Sequence, residues 1–252
     1  MKTKKSTLKI DLSENVRRNK FTFKGKYFSV SDYFKRGNID NWWKPEEGKG
    51  NCGVKGDFDK LQKNNRRYVE RWLKNKSFDL SLEIGPAQGR YSDAILSRSN
   101  KLTLVEINDK FVNGLIQKYD NNKRVKIIHD DITTLDLLKN IFDLVVIIEV
   151  LVHIEDIQKL MEKISMWCIV GGSIIVSITP ILWYKVYKKR GSCHRGIDPE
   201  EFEIMLKSFG YKIEKKWNQN DKNGISQCIT YFLKNSRESV LFDLNKERFD
   251  FY

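Results

Sequence analysis

From Phe78 onward, short apolar runs alternate with amphipathic stretches. The runs FDLSLEI (78–84), KLTLVEI (101–107), VKIIH (125–129), FDLVVIIE (142–149) and SIIVSI (173–178) predict strands. Helices are predicted between them, over about 90–98, 110–119, 134–140 and 155–168, and another over about 199–209. Two further strands, YKIEKKW (211–217) and ISQCITYFL (225–233), close the pattern. Upstream, Asp59 to Lys74 brings Leu61, Tyr68, Val69, Trp72 and Leu73 near one helical face, with Asp59 as a candidate cap. Alternating β and α units imply an α/β domain with a mostly parallel sheet wound on both faces, and the last two strands suggest an antiparallel finish. Such a sheet binds ligands at the carboxyl ends of its central strands, where the connections reverse direction.

The pattern divides near residue 77. Residues 59–235 form the predicted α/β domain, residues 1–58 a basic, aromatic and irregular arm, and residues 236–252 a tail. Length allows one such domain with an extension. Residues 1–76 carry 21 Lys and Arg against 9 Asp and Glu, an excess of 12, whereas residues 77–252 carry 25 against 24. Charge concentrated in this way suits an anionic partner, or else it solvates a Lys-rich surface. No apolar run approaches the length of a membrane span and the start lacks a signal-peptide core, so a cytoplasmic location is expected. Cys52, Cys168, Cys193 and Cys228 lie far apart without a CxxC pair, which points to reduced thiols and no structural metal.

Candidate chemistry gathers where the first two strands end. FDLSLEI runs into Gly85-Pro86-Ala87-Gln88-Gly89 directly before a helix. Gly85 and Gly89 permit a tight bend, Ala87 keeps the backbone low under a ligand, and amides at the helix start can meet an anion. Glu106 ends the second strand, where a carboxylate can accept hydrogen bonds from ribose hydroxyls. Glu83, just before the first glycine, would repel a pyrophosphate but can hold a cationic amino group.

EIGPAQGR, LVEIN, HDDI and EVLVHIED, in this order and spacing, resemble the motifs of class I S-adenosylmethionine-dependent methyltransferases over about residues 60 to 235. The resemblance implies a seven-stranded sheet of order 3-2-1-4-5-7-6 with the last strand antiparallel, and S-adenosyl-L-methionine as cofactor. It further implies that Glu83, Gly85, Ala87 and Gly89 contact the methionine and sugar parts, that Glu106 holds the ribose, and that Asp131 and Ile132 frame adenine. Ala87 departs from the usual glycine by one methyl group. Glu149 and His153 follow the fourth strand, whose end faces the sulfonium in this fold; Glu149 is counted with the cofactor contacts, and His153 is the candidate acid–base or acceptor-contacting group. His194, after the fifth strand, is a second candidate of that kind. Arg67, on the helix before the first strand, is placed to reach the cofactor carboxylate, and His129 reads as structural.

The acceptor is less sharply encoded. EVLVHIED and the stretch 178–211 look like the branch that includes ubiquinone and sugar methyltransferases, which implies transfer to oxygen or nitrogen of a small anionic molecule or a glycan. An RNA acceptor is the alternative, motivated by the basic arm and by an EIGP opening similar to that of rRNA adenine dimethylases. Those enzymes use an Asn-Pro-Pro-Tyr-like motif after the fourth strand, and this chain has Glu149-Val150-Leu151-Val152-His153 there. Val152 also stands where small-RNA ribose methyltransferases place a metal-binding Glu. A non-catalytic binding protein is disfavoured by the intact Glu83, Gly85, Gly89, Glu106 and Asp131. The arm, with Tyr27, Phe28, Tyr33, Phe34, Trp42 and Trp43, is read as a substrate lid, with a packed structural cap as the competing role. Deleting residues 1–58 and assaying both cofactor binding and turnover separates the two: a lid leaves binding intact and abolishes turnover, whereas loss of a cap unfolds the protein.

Overall fold

The computed structural model describes residues 57–182, 196–220 and 223–236, with side chains from Lys63. It also describes two short antiparallel ribbons, Phe21–Phe23 with Lys26–Phe28 and Trp43–Lys44 with Lys49–Gly50. The roles expected of the aromatic side chains of the arm, of Trp183–Arg195 with His194, and of residues 237–252 fall outside the described residues.

A helix α1 (Asp57–Leu73) leads into strand β1 (Phe78–Ile84), followed by α2 (Ser92–Leu96), β2 (Ser99–Glu106), α3 (Asp109–Lys118) and β3 (Val125–His129). Then come β4 (Phe142–Ile147), α4 (Ile157–Trp167), β5 (Cys168–Ile178), α5 (Pro199–Ser208), β6 (Tyr211–Asn220) and β7 (Ser226–Asn235). These seven strands form one sheet of order 3-2-1-4-5-7-6. Strands β1 to β5 pair in parallel, and β7 runs antiparallel to both β5 and β6, as the terminal apolar runs predict.

Alternation along the central strands explains the double winding. In β4, Leu144 and Val146 face a core with α1, α2 and α3, built on Val69, Leu73, Ile95 and Leu115. Val145 and Ile147 face the opposite core, where Leu160, Met161 and Ile164 of α4 pack with Phe202 and Leu206 of α5. Burial on both faces is why these strands read as continuous apolar runs. At the other end of the sheet, the Asp143 carboxylate accepts from the amides of Asp79 (2.6 Å) and Leu80 (3.1 Å), pinning the start of β1 against β4.

The sequence pattern and the structure differ at two places. The helix expected over 134–140 is a turn, because Asp131 and the threonines satisfy the backbone locally. Asp131 Oδ1 accepts from the Thr133 amide (2.9 Å) and hydroxyl (2.7 Å), and Thr134 Oγ1 donates to the Asp131 carbonyl (3.1 Å). Lys163 Nζ then ties down the carbonyls of Thr133 and Leu135. The second difference is β5, which begins at Cys168 without a break after α4 and includes both glycines expected before it. A side chain at Gly172 would meet the Cys168 sulfur, so glycine is what lets the strand continue there. Among the described residues, no helix is long and apolar enough to cross a membrane.

Asn108 caps α3 from a buried position, its Oδ1 accepting from the amides of Lys110 (3.1 Å) and Phe111 (3.2 Å). Asn108→Ala is expected to lower stability by about 1 kcal/mol, measurable as a fall of a few degrees in thermal midpoint.

Candidate functional site

The carboxyl edge of the sheet is where β1 and β4, neighbours in the sheet, send their connections to opposite faces. The loop after β1 takes left-handed backbone at every second residue: φ is +65° at Gly85, +50° at Ala87 and +74° at Gly89. Gly85 is required twice over, since a Cβ there would also overlap the side chain of Val150 after β4. Ala87 occupies a conformation that costs an L-residue about 1–2 kcal/mol. The loop amide of Ala87 is held at 3.0 Å by Glu106 Oε2. Glu106 Oε1 accepts from the amides of Ile107 (2.9 Å) and Asn108 (3.0 Å), so one buried carboxylate joins the ends of β1 and β2. Burial raises its pKa, opposed by these three amide bonds. From the outer side, Lys118 Nζ bonds the Gly89 carbonyl (3.0 Å) and Asp93 (2.7 Å).

Glu83 is buried beneath this loop and accepts a hydrogen bond from Ser92 Oγ at 2.5 Å. Among the described residues no cation pairs with it at hydrogen-bond distance. Burial pushes its pKa up to about 7, against the Ser92 bond and the more distant charge of Lys118. A buried carboxylate lacking a counter-ion fits a ligand that brings its own ammonium. Asp131 and Ile132 follow β3 and are both buried, Asp131 with Oδ1 engaged by Thr133 and Ile132 within the α4-side core. His129, by contrast, is exposed and bonded to Asp109 at 3.0 Å, as a structural residue.

Beyond β4 the chain turns sharply. Glu149 has φ of +61°, a left-handed conformation that a non-glycine residue holds only where its surroundings impose it. Its amide donates to Ser177 Oγ (2.8 Å), and its Oε1 accepts from Asn65 Nδ2 (3.3 Å). His153 ends the short 3-10 turn Leu151–His153 and is partly buried.

The sequence reading missed Asn65. It is buried on α1, and its Oδ1 accepts from Gln219 Nε2 (2.6 Å) and Thr230 Oγ1 (3.1 Å) while its Nδ2 also meets Cys228 Sγ (3.5 Å). A signal was available: Asn65 stands four residues before Val69, on the face that the periodicity buries, and a polar residue in an apolar stripe needs a partner. Arg67, two residues on, lies about 200° around the helix from Asn65 and is exposed. Gln219, Thr230 and Ser177 carried no such signal, because the cross-strand pairs Gln219 with Cys228 and Thr230 with Ser177 exist only in the assembled sheet.

This fold is that of the class I S-adenosylmethionine-dependent methyltransferases. Residues 82–176 match the family model described as "Methyltransferase domain". Among solved structures, a magnesium protoporphyrin IX methyltransferase (ChlM) from Synechocystis PCC 6803 with bound S-adenosylhomocysteine is similar, with a TM-score of 0.64. It shares 18% identity and covers 82% of this chain and 98% of that one. The N-methyltransferase NodS from Bradyrhizobium japonicum WM9, also with S-adenosylhomocysteine, gives a TM-score of 0.59 at 17% identity, covering 69% and 86%. By sequence, ribosomal RNA small subunit methyltransferase A of Geobacter metallireducens is 37% identical over 59 residues, 23% of this chain and only 22% of the relative.

Glu83 makes the site pH-sensitive. Its raised pKa means the folded protein without ligand binds a proton that the unfolded chain has released, so Glu83 favours folding at low pH and loses that contribution as pH rises through about 7. An ammonium ligand instead needs the carboxylate. Calorimetric affinity for S-adenosylhomocysteine is expected to fall as pH drops from 7.5 to 6, roughly tenfold for each unit well below the Glu83 pKa. Glu83→Gln should remove that slope, weaken binding at pH 8, and raise the thermal midpoint of the ligand-free protein there.

Proposed function

We propose that this chain transfers a methyl group from S-adenosyl-L-methionine to oxygen or nitrogen of a small anionic molecule or a glycan. When bound, the cofactor supplies an electrophilic methyl on a cationic sulfur. The chain's own residues then have separate tasks. Glu83 provides the countercharge for the amino end of the methionine moiety, and the Gly85–Gly89 turn lets that moiety lie against backbone. Glu106 meets the ribose through Oε2, which carries only the Ala87 amide bond, since Oε1 already accepts two. Asp131 and Ile132 frame adenine. Arg67 reaching the cofactor carboxylate and His153 contacting the acceptor complete the assignment, in a cytoplasmic enzyme whose basic arm covers an anionic acceptor.

The observation that carries the acceptor class is the segment after β4. Glu149 to His153 form a strained turn and a short 3-10 helix, without the Asn-Pro-Pro-Tyr-like sequence that grips a flipped adenine. Magnesium protoporphyrin IX, the acceptor for which ChlM is named, is a small molecule and supports the same reading. An RNA acceptor is favoured by the basic arm and by the ribosomal RNA relatives, whose likeness extends over about a quarter of the chain.

Two measurements test the proposal. Glu106→Ala is expected to weaken cofactor binding at least tenfold by calorimetry, since it removes the ribose contact and three loop-ordering bonds; unchanged affinity would rule out the site. Label from radioactive S-adenosylmethionine is expected in small-metabolite or glycan fractions and to survive nuclease. Label confined to RNA and lost on nuclease treatment overturns the acceptor class.

A further inference from the structure

Beside the cofactor loop, polar side chains from five elements converge in a buried cluster at the carboxyl edge of the sheet. Asn65 comes from α1, Ser177 from β5, Gln219 from β6, and Cys228 and Thr230 from β7, with Glu149 at the end of β4 in front of them. Asn65 satisfies four of these partners at once, and its amide group thereby orients the Glu149 carboxylate. The network also holds the left-handed turn at Glu149, whose cost of about 1–2 kcal/mol must be imposed by the surroundings.

One hydroxyl beside the cluster has no partner among the described residues. Tyr91 follows the Gly-Arg end of the cofactor loop; its ring packs in the α1-side core and only 7% of the residue is exposed, yet its buried hydroxyl makes no hydrogen bond. Glu149 and Cys228 lie within electrostatic reach of it and, after burial itself, are the next causes that hold the phenol in its protonated form. Leaving such a hydroxyl unbonded costs about 1–3 kcal/mol, part of which a ligand N–H bonded to its oxygen can recover.

We propose that Tyr91 and Glu149, oriented by the Asn65 network, form the seat for the acceptor's nucleophilic atom, and that this atom is an amine nitrogen. The inference rests on the methyltransferase reading above and narrows its oxygen-or-nitrogen acceptor. A carboxylate is far too weak a base to deprotonate an alcohol before attack, whereas a neutral amine needs no prior deprotonation. The amine nitrogen uses its lone pair to form the new N–C bond as the C–S bond breaks, and that bond's electron pair stays on sulfur, which becomes neutral. Positive charge that develops on nitrogen is met by Glu149, which accepts an N–H bond and then the surplus proton. Tyr91 accepts a second N–H of the same head group through its phenol oxygen, which orients the nitrogen and leaves its lone pair free for the methyl group. Anionic parts of the acceptor lie elsewhere, because a negative group beside Glu149 would be repelled.

Sinefungin tests the seat without knowledge of the acceptor: it is an S-adenosylhomocysteine analogue in which a carbon bearing an ammonium group replaces the sulfur, so its N–H groups stand where the transferable methyl would be. Calorimetry on the full chain compares it with S-adenosylmethionine, which is cationic but lacks those N–H groups, and with neutral S-adenosylhomocysteine. Wild type is expected to bind sinefungin about tenfold or more tighter than S-adenosylhomocysteine. Glu149→Gln should abolish that preference while changing the other two affinities less than about twofold, and Tyr91→Phe, which keeps the ring in the core, should reduce it by about threefold. Equal losses for sinefungin and S-adenosylmethionine would assign Glu149 to the cofactor's charge and overturn the seat, as would no loss in either variant. Should thermal melting show Glu149→Gln unfolded, Tyr91→Phe decides by the same comparison. Failure of wild type to bind any of the three overturns the methyltransferase reading itself, an outcome distinct from binding without a sinefungin preference.

Discussion

One buried carboxylate holds the site together. Glu106 sits at the end of β2, away from water, and accepts three backbone amides, one from the loop after β1 and two from its own turn. Amides at a turn need partners when buried, and a carboxylate is the one side chain that can take three from different directions. The loop is thereby drawn across the sheet edge, Gly85 settles against Val150, and the ends of β1, β2 and β4 become neighbours. Glu83, Asp131 and Glu149 acquire a common edge as a consequence.

That edge is strongly acidic and largely dry, an arrangement that costs stability. Among the described residues Glu83 is buried without a cation at hydrogen-bond distance, and Ala87 and Glu149 hold left-handed backbone. Strain and desolvation concentrated in a few residues are expected where a charged ligand is to be bound, since the ligand supplies what the fold withholds. The rest of the domain is conventional in its energetics. Two apolar cores face the two sides of the sheet, and capped helices such as α3 and α5 enclose them. The stable sheet carries the strained edge.

Chemistry on this edge divides along the chain. Groups from β1 to β3 suit a cofactor that is cationic at one end and carries a diol in the middle. Groups from β4 onward, with α1 behind them, make a second polar cluster whose ownership passes to the acceptor. Glu149 stands at the boundary: the family resemblance puts it near the sulfonium, and its bond from Asn65 together with the unbonded Tyr91 hydroxyl is what our proposal uses to assign it to the acceptor.

Much of this was legible in the linear text because its causes are local. Period-two and helical alternation express burial on one side or the other of each element, so the α/β class, the βα loop and the acids at 83 and 106 follow from spacing within a few residues, while the strand order and Asp131 came from the resemblance of the motifs to a known family. The helix expected at 134–140 was lost to an equally local competitor, the Asp131 and threonine bonds, which composition alone did not weigh correctly. What only the tertiary structure decided is the acceptor side. Asn65 meets Glu149 across 84 residues, Gln219 across 154 and Thr230 across 165, and no periodicity reports contacts between side chains that far apart in the chain. The cofactor site is built from turns that follow strands and can therefore be read in order; the seat beside it is built from faces that meet only after the sheet has closed against α1.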